Sequence, residues 1–238
     1  MRIIFIMAMI AACVSTYAKD LQITATSWLV ADGYGNTIES QNSTEIRSIA
    51  SISKLMTVLI VLDAKQNLKE LLEKHTREDT IQMALVHSDN HAADLLCAHY
   101  IGGKDECIKA MNIKAASLGM VDTHFVEPTG LSVFNVSTAN DLVKLVITAS
   151  NYEEVRKAAV SPQVKIHLKK KWLIFNNTNP IIGKKYNFIV SKTGYIRAAG
   201  GCIALMVDTD IGRRIVVVLG SKNTHTRIPE AEFIFENY

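Results

Sequence analysis

The order of apolar and polar residues divides the chain into two outer regions with strand patterns and a middle region with helix patterns. Near the beginning, residues 23–31 and 36–41 predict a hairpin around the turn residues 32–35. Near the end, strands are predicted over residues 165–168, 172–175, 188–192, 202–207 and 213–219. Because these strands flank the helical region, we expect both ends to share one antiparallel sheet.

The middle of the chain has the apolar spacing and the capping residues of helices. Residues 52–62 are apolar almost throughout, which predicts a buried helix that begins at Ala50 or Ser51. Further helices are predicted over residues 70–74, 76–86, 90–100, 104–118 and 138–149, and a last one over residues 229–236. The sequence therefore predicts an α/β chain of the α+β type, in which helices flank an antiparallel sheet and an all-helical lobe is inserted at about residues 66–160.

The first residues have the pattern of an export signal. Arg2 precedes an apolar run over residues 3–12 that is too short to span a bilayer, and Thr16–Ala18 offers a cleavage site with small residues. We therefore expect a signal peptide over residues 1–18 and one mature domain over residues 19–238. The protein would be exported and periplasmic, without a membrane span.

Lipid attachment is the alternative at the same end of the chain. Residues 10–13 resemble a bacterial lipobox, and cleavage before Cys13 would give a membrane-anchored lipoprotein. The formal charge is +3, and the densest basic cluster, residues 169–171, is expected to be a solvated strand end. Attraction to an anionic polymer is the other interpretation of that cluster. We expect no nucleic-acid binding, because no larger basic block exists.

Export predicts an oxidising compartment, which makes the cysteines after the signal informative. Cys97 and Cys107 lie on either side of a Gly-Gly pair, and they either bridge two helices or remain separate buried thiols. With Cys202 the number is odd, so at least one thiol is expected to be free. The spacing of His87 and His91 suits two zinc ligands on one helix, but the Ser-Asp-Asn sequence between them favours a helix break, and we expect no metal site.

Three short motifs follow one another in an order that indicates a serine nucleophile. They are Ser51-Ile52-Ser53-Lys54, Ser88-Asp89-Asn90 and Lys192-Thr193-Gly194. Any one of them is a weak signal, because such short patterns occur by chance. All three in this order, each on a suitable element, form a specific signal.

The first motif supplies a nucleophile and a base. Ser51 and Lys54 are three residues apart at the start of a helix, so their side chains share one face. A serine hydroxyl needs a neighbouring base, and burial makes a lysine a weaker cation and hence a possible base. Lys54 is the only charged residue between Arg47 and Asp63, which favours burial over the alternative of an N-cap serine and a surface lysine.

The second motif lies between two predicted helices. Ser88 is expected to relay protons with Lys54, and Asn90 is expected to hydrogen-bond the backbone of the substrate. Because serine, aspartate and asparagine all favour helix N-caps, a purely structural cap is the alternative.

The third motif ends a predicted strand. Lys192 would place a positive charge near the serine, and Gly194 would let the backbone approach the substrate. The N–H of Tyr195 would complete an oxyanion hole with the N–H of the serine, and Thr193 would contact the substrate beside them. An edge-strand lysine followed by a turn glycine is the alternative.

The segments around these motifs resemble the D-alanyl-D-alanine carboxypeptidases, the low-molecular-mass penicillin-binding proteins. The resemblance lies in residues 47–57 (RSIASISKLMT), 84–93 (ALVHSDNHAA) and 191–200 (SKTGYIRAAG). Residues 123–142 (THFVEPTGLSVFNVSTANDL), above all the run from Glu127 to Leu131, look more like the DD-endopeptidase subgroup. The likeness extends over most of the chain.

The resemblance implies a β-lactamase/transpeptidase-like fold and a serine peptidase that acts on D-alanyl bonds in peptidoglycan peptide stems. Ser51 would attack the carbonyl, Lys54 would take its proton, and Ser88 with Lys192 would assist the leaving amine. β-Lactams would acylate the same serine as covalent inhibitors. No metal or organic cofactor is implied.

Within that family, a DD-endopeptidase that cuts cross-links is favoured, and a DD-carboxypeptidase that removes a terminal D-alanine is the alternative. A β-lactamase is less favoured, because we find no Glu-x-x-Leu-Asn segment of the kind that supplies its deacylating glutamate. Only residues 65–75, which look shorter than in typical members, favour a non-catalytic wall-binding protein. Since the chain ends soon after its last predicted helix, a membrane-binding tail is not expected, and the product would be soluble unless it is lipidated.

Overall fold

A five-stranded antiparallel sheet, with strand order β2-β1-β11-β10-β9, lies at the centre of the computed structural model. The structure describes residues 21–168 and 171–238, so the predicted signal peptide and the Cys13 lipobox lie outside the described residues. Over the described residues, the strands of this sheet and of the smaller sheets are β1 (Ser27–Asp32), β2 (Thr37–Gln41), β3 (Arg47–Ser48), β4 (Leu71–Leu72), β5 (His75–Thr76), β6 (Val136–Ser137), β7 (Gln163–Leu168), β8 (Lys171–Asn176), β9 (Asn187–Ile196), β10 (Gly200–Thr209) and β11 (Gly212–Ser221).

The helices cover both faces of this sheet. They are α1 (Ser53–Asp63), α2 (Arg77–Gln82), α3 (Asn90–Ala98), α4 (Gly103–Ser117), α5 (Ala139–Ala149), α6 (Glu153–Ala159) and α7 (Arg227–Asn237). Helix α7 packs on one face of β10 and β11, and α5 packs on the opposite face. The two ends of the chain therefore share one sheet, as the sequence predicted. The strands predicted over residues 165–168 and 172–175 are an exception, because they lie in β7 and β8, which pair with each other in a separate two-stranded sheet.

Alternating residues of the sheet enter two separate apolar cores. Leu29 and Ala204 belong to the core that also contains helix α1, whereas Trp28 and Ile203 belong to the core beneath α7. Because the side chains of a strand alternate between faces, one sequence of apolar residues fills both layers. Burial on both faces explains why the strands predicted over residues 202–207 and 213–219 are nearly continuous runs of apolar residues.

Helix α1 forms the centre of the helical lobe. All residues from Ser53 to Val61 are buried, and the helix packs against α3, α4 and α5. The long apolar run thus predicted the burial of this helix correctly. A one-turn 3-10 helix, Ala50–Ile52, leads into it and contacts β9.

Three parts of the lobe differ from the sequence prediction. Residues 70–74, predicted as a polar helix, instead form a small hairpin in which β4 pairs with β5. Glu73 has a φ of 57° at its turn, and Leu72 is buried, so a tight turn with alternating burial prevails over helix propensity. Strand β6 pairs with β3, so the middle region is not all-helical, and α6 was not predicted.

A disulfide joins helices α3 and α4. It links Cys97 to Cys107, whose Cα atoms are 5.3 Å apart, so of the two alternatives the bridge is the one present. Cys202 is a buried free thiol in β10, and burial raises its pKa to about 11. Across residues 21–168 and 171–238, every helix is too short or too polar to cross a bilayer.

Candidate active site

Ser51 lies in the 3-10 turn at the head of α1, where the backbone is unusual. The preceding residue, Ala50, has a φ of 47°, in the left-handed region that side chains with a Cβ rarely adopt. Such strain persists only where the surrounding structure imposes it, and here α1 and strand β9 enclose the turn. The turn leaves Ser51 partly exposed, while Lys54 lies in the buried first turn of α1.

Lys54 is fully buried and is held by three oxygen acceptors. Its Nζ lies 2.9 Å from Ser51 Oγ, 2.7 Å from Asn90 Oδ1 and 2.5 Å from the carbonyl oxygen of Thr129. Burial lowers the pKa of Lys54 to about 8, although the nearby carboxylates of Glu127 and Asp89 act in the opposite direction. The spacing of the first motif therefore does place an amine of lowered pKa beside the serine hydroxyl.

The second motif forms the junction between two helices. A π-helical turn, Met83–His87, follows α2, and Ser88 then adopts a φ of 62° before Asp89 caps α3 through its side chain. Asp89 Oδ1 accepts a hydrogen bond from the N–H of Ala92 at 2.8 Å. The capping interpretation is thus correct for Asp89, while the turn leaves Ser88 and Asn90 directed at the site.

The structure pairs the residues of this motif differently from the sequence prediction. Ser88 was expected to relay protons with Lys54, but its Oγ instead accepts a hydrogen bond from Lys192 Nζ at 2.8 Å. Asn90 Oδ1 accepts a hydrogen bond from Lys54, which was not predicted, and its expected contact with the substrate backbone stays a prediction. The left-handed conformation of Ser88 is the physical reason, because it directs these two neighbouring side chains at different lysines.

Strand β9 places the third motif against the nucleophile. Lys192 pairs with Ala204 and Gly194 pairs with Cys202, and these two partners belong to the core that contains α1. Strand alternation therefore directs Lys192 and Gly194 to the same side as Ser51. The amine of Lys192 is almost fully buried and also donates to the Thr193 carbonyl at 2.8 Å.

The backbone of two glycines closes on the serine from two directions. A Cβ atom added to Gly194 would lie 2.9 Å from the backbone nitrogen of Ser51. One added to Gly130, which has a φ of +83°, would lie 2.0 Å from the carbonyl oxygen of Ala50. Both positions require glycine because the neighbouring backbone is so close, whereas the expected approach of Gly194 to the substrate stays a prediction. Tyr195 follows with its side chain exposed.

The amine of Lys192 lies in an environment of its own. Burial and the neighbouring cations Lys54 and Arg227 lower the pKa of Lys192 well below its usual range. Together, a hydroxyl, a base at 2.9 Å and a second buried amine are the parts that acyl transfer through a serine ester requires.

Several residues of the site were not predicted. The Thr129 carbonyl is a third acceptor for Lys54, and backbone acceptors leave no signal in the sequence. Arg227 of α7 donates to the Gly194 carbonyl at 2.6 Å, and Thr193 Oγ1 donates to Thr178 Oγ1 at 2.6 Å. The unusual Glu-Pro-Thr-Gly-Leu run was the one available signal, and it indicated the subgroup without indicating a contact.

The two histidines of the alternative zinc site lie on different elements. His87 ends the π-helical turn, and its Nδ1 is 3.2 Å from the carbonyl oxygen of Asn176. His91 lies in α3, 3.5 Å from a carboxylate oxygen of Glu73. The part of the chain that the structure describes contains no group of three or more histidine, cysteine, aspartate or glutamate side chains able to hold a metal ion.

Comparisons with known proteins agree with this geometry. The profile of the family described as D-alanyl-D-alanine carboxypeptidase matches residues 14–74 and 68–223. The D-alanyl-D-alanine endopeptidase of Escherichia coli is 36% identical over 241 residues, which cover 91% of this chain and 78% of the relative. The D-alanyl-D-alanine endopeptidase of Pseudomonas aeruginosa is 35% identical over 88% of this chain and 76% of its own length.

Among solved structures, penicillin-binding protein D2 of Listeria monocytogenes in the ampicillin-bound form superimposes with a TM-score of 0.82. It is 28% identical in sequence, and the match covers 91% of this chain and 98% of that one. The match over nearly the whole Listeria chain extends the likeness from the three motifs to the sheet and the helical lobe.

Proposed function

The chain belongs to the D-alanyl-D-alanine carboxypeptidase family and is a serine-type hydrolase of D-alanyl bonds, and from this premise we propose that it is a DD-endopeptidase acting through an acyl-enzyme on Ser51. The observation that carries the proposal is the amine of Lys54, fully buried and 2.9 Å from Ser51 Oγ. The preferred substrates are cross-linked peptide stems of peptidoglycan.

In the acylation step, Ser51 Oγ attacks the carbonyl carbon of a D-alanyl residue while the neutral amine of Lys54 takes the hydroxyl proton. The new C–O bond gives a tetrahedral intermediate whose oxyanion is stabilised by the backbone N–H groups of Ser51 and Tyr195. The close contact between Gly194 and the Ser51 nitrogen supports this position for the oxyanion hole.

The intermediate then collapses, the C–N bond breaks, and the leaving amine must receive a proton. The proton that Lys54 took from Ser51 ends on the leaving nitrogen, and the hydrogen-bonded pair of Ser88 and Lys192 assists this transfer. Water then attacks the ester carbonyl, the C–O bond to Ser51 breaks, and the neutral amine of Lys54 takes a proton from the water and gives one to Ser51 Oγ. Asn90 orients the base in this scheme, and Thr193 contacts the substrate.

The endopeptidase preference has two supports. The relatives at 36% and 35% identity are endopeptidases, and exposed apolar side chains follow the two glycines that approach the serine. Leu131, Phe134 and Tyr195 are 57%, 69% and 47% exposed, as expected of a surface that contacts an extended substrate. The family description favours the alternative, a carboxypeptidase. Purified muropeptides separate the two: cross-linked dimers disappear for an endopeptidase, whereas only terminal D-alanine is lost for a carboxypeptidase.

A fluorescent penicillin tests the acyl-enzyme itself. We expect stable labelling of the wild-type protein and none of Ser51→Ala, because a β-lactam presents the same kind of carbonyl to the nucleophile. The ampicillin-bound form of the Listeria protein supports this expectation. Labelling of Ser51→Ala would overturn the assignment of the nucleophile, and rapid turnover of the penicillin would indicate a β-lactamase.

We also propose that the mature chain is one exported domain over residues 19–238, preceded by the signal peptide of residues 1–18. The disulfide between Cys97 and Cys107 supports an oxidising compartment such as the periplasm. Intact-protein mass spectrometry of the protein from cells gives the mature N-terminus. A mass that includes a lipid on Cys13 would instead identify the protein as a membrane-anchored lipoprotein.

A further inference from the structure

One carboxylate organises the loop that holds the catalytic base. Oε2 of Glu127 accepts hydrogen bonds from the N–H and from the Oγ1 of Thr129, both at 2.6 Å. Its Oε1 accepts from Gly130 N at 2.6 Å, from Asn135 Nδ2 at 3.1 Å and from Ser132 N at 3.2 Å. Five donors on one side chain fix the conformation of the loop from residue 127 to residue 132.

The same loop contacts helix α1 and the turn before it at three places. The Thr129 carbonyl accepts from Lys54 Nζ at 2.5 Å, and the Pro128 carbonyl accepts from Thr57 Oγ1 at 2.8 Å. Gly130 lies against the carbonyl of Ala50. A displacement of the loop therefore changes the position of the base as well as the backbone next to the serine.

Asn135 connects this loop to the start of helix α1 through hydrogen bonds. It is fully buried, and its Nδ2 donates to the Glu127 carbonyl at 2.8 Å and to Ser53 Oγ at 3.0 Å. Ser53 Oγ in turn donates to the Ala50 carbonyl at 2.9 Å. The carboxylate is thus part of a continuous hydrogen-bonded network that reaches Ser53 and the carbonyl of Ala50, the residue before Ser51.

We propose that Glu127 is a positioning residue for acylation, which fixes the Thr129 carbonyl and through it the amine of Lys54 against Ser51. The inference rests on the proposed function of Ser51 and Lys54. A neutral asparagine or serine would suffice to cap a loop, whereas a carboxylate also places a negative charge near a buried amine.

The charge has a consequence for the pH dependence. The carboxylates of Glu127 and Asp89 are near Lys54, and the buried amine of Lys192 is also close enough to interact with it. The carboxylate raises the pKa of Lys54 and so opposes the effect of burial. Removing the charge therefore lowers the pKa of Lys54 further. In a plot of acylation rate against pH, the rising part on the acid side (the acid limb) then moves to lower pH.

The test measures the acylation rate per active site for the wild type, Glu127→Gln, Glu127→Asp and a control, Glu39→Gln. Active sites are counted by mass spectrometry after complete acylation with penicillin, so a partly unfolded variant still gives a rate for its folded fraction. Glu39 is exposed on β2, and its carboxylate accepts only from the neighbouring Ser40 N among the described contacts, so it carries the same charge change away from the cleft.

We expect Glu127→Gln to reduce the rate per active site by about 10- to 100-fold, since small displacements of a base are costly, and to move the acid limb to lower pH. Glu127→Asp should acylate more slowly than the wild type, because the shorter side chain no longer reaches all of its donors. The acid limb of its pH profile should stay at the wild-type pH, because the negative charge is kept. The proposal would be overturned if Glu127→Gln had the wild-type acylation rate per active site and an acid limb at the wild-type pH. Failure of the wild type to acylate would instead overturn the proposed function.

Discussion

The surroundings of Lys54 and Lys192 differ more than their burial does. Lys54, on a helix, has three oxygen acceptors and two carboxylates near it. Lys192, on a strand, has the Ser88 hydroxyl and the Thr193 carbonyl as acceptors, and its charged neighbours are the cations Lys54 and Arg227. Both amines are desolvated, but only one of them is balanced by negative charge.

This difference divides the chemistry between two residues of the same type. Carboxylates keep the pKa of Lys54 at about 8, so near neutral pH it exchanges a proton with Ser51 in either direction. Burial, together with the neighbouring cations, lowers the pKa of Lys192 well below its usual range, which suits an amine that assists proton transfer to the leaving nitrogen. The identity of a buried lysine thus says less about its role than the sign of the charges around it.

The largest effect should come from removing each amine in turn. We expect Lys54→Ala to lower the rate of penicillin acylation by about 10³- to 10⁴-fold, because serine and base act as a unit. Lys192→Ala should cost about 10²-fold, since it removes a donor and a positive charge but leaves the nucleophile and its base together. Stopped-flow or gel-based labelling measures both, and a larger loss in Lys192→Ala would reverse the assignment of roles.

The pH profile should report Lys54 alone. Its neutral form is the base and its lowered pKa is about 8, so the acylation rate should rise about tenfold per pH unit below pH 8 and level off above it. Rates of acylation from about pH 6 to about pH 10 measure this limb. A flat profile across that range, with the fold intact by circular dichroism, would exclude Lys54 as the titrating base.

A matched pair of substitutions should separate the two lysines more finely. Asn90→Ala removes one acceptor from Lys54, and Ser88→Ala removes one acceptor from Lys192. We expect a loss of about tenfold in acylation rate for each, the size of one hydrogen bond to a charged group. Only Asn90→Ala should move the acid limb, towards lower pH, because the lost acceptor stabilised the charged form of Lys54. A shift in Ser88→Ala instead would mean that the serine serves Lys54, as the sequence predicted.

The smallest effect on acylation should come from the disulfide, which lies on two helices behind the base. Replacing Cys97 and Cys107 together by alanine should lower the free energy of unfolding by about 2 to 3 kcal/mol, as expected for closing a loop of this length. The acylation rate should be unchanged at temperatures where the variant is folded. Urea unfolding followed by fluorescence measures the first quantity, and a loss of acylation in the folded variant would place the bridge in the site.

The sequence was informative wherever periodicity or a spaced motif determined the structure. Residues 52–62 predicted a buried helix because burial on all sides leaves no polar face, and the late strands appeared as apolar runs because both faces of the sheet are covered. The pairing of Ser51 with Lys54 followed from one helical turn. These features depend on local geometry, so local reasoning was sufficient.

Prediction was poorer where a conformation depends on a few special backbone angles. Ser88 in the left-handed region determines which lysine each residue of the second motif meets, and Glu73 in the same region converts a predicted helix into a hairpin. The Thr129 carbonyl reaches Lys54 from 75 residues away in the sequence. A backbone acceptor brought in by tertiary folding has no residue type by which it could be recognised.

The two glycines that enclose the nucleophile limit how this cleft can be redesigned. A methyl group at Gly130 or Gly194 would act as a wedge against Ala50 or Ser51, since the added carbon would sit within 3 Å of their backbone atoms. Substrate range is therefore open to engineering only further out, at side chains such as Leu131, Phe134 and Tyr195 that face solvent. A mutagenesis library that leaves both glycines fixed and randomises this outer ring keeps the reacting centre intact in every member.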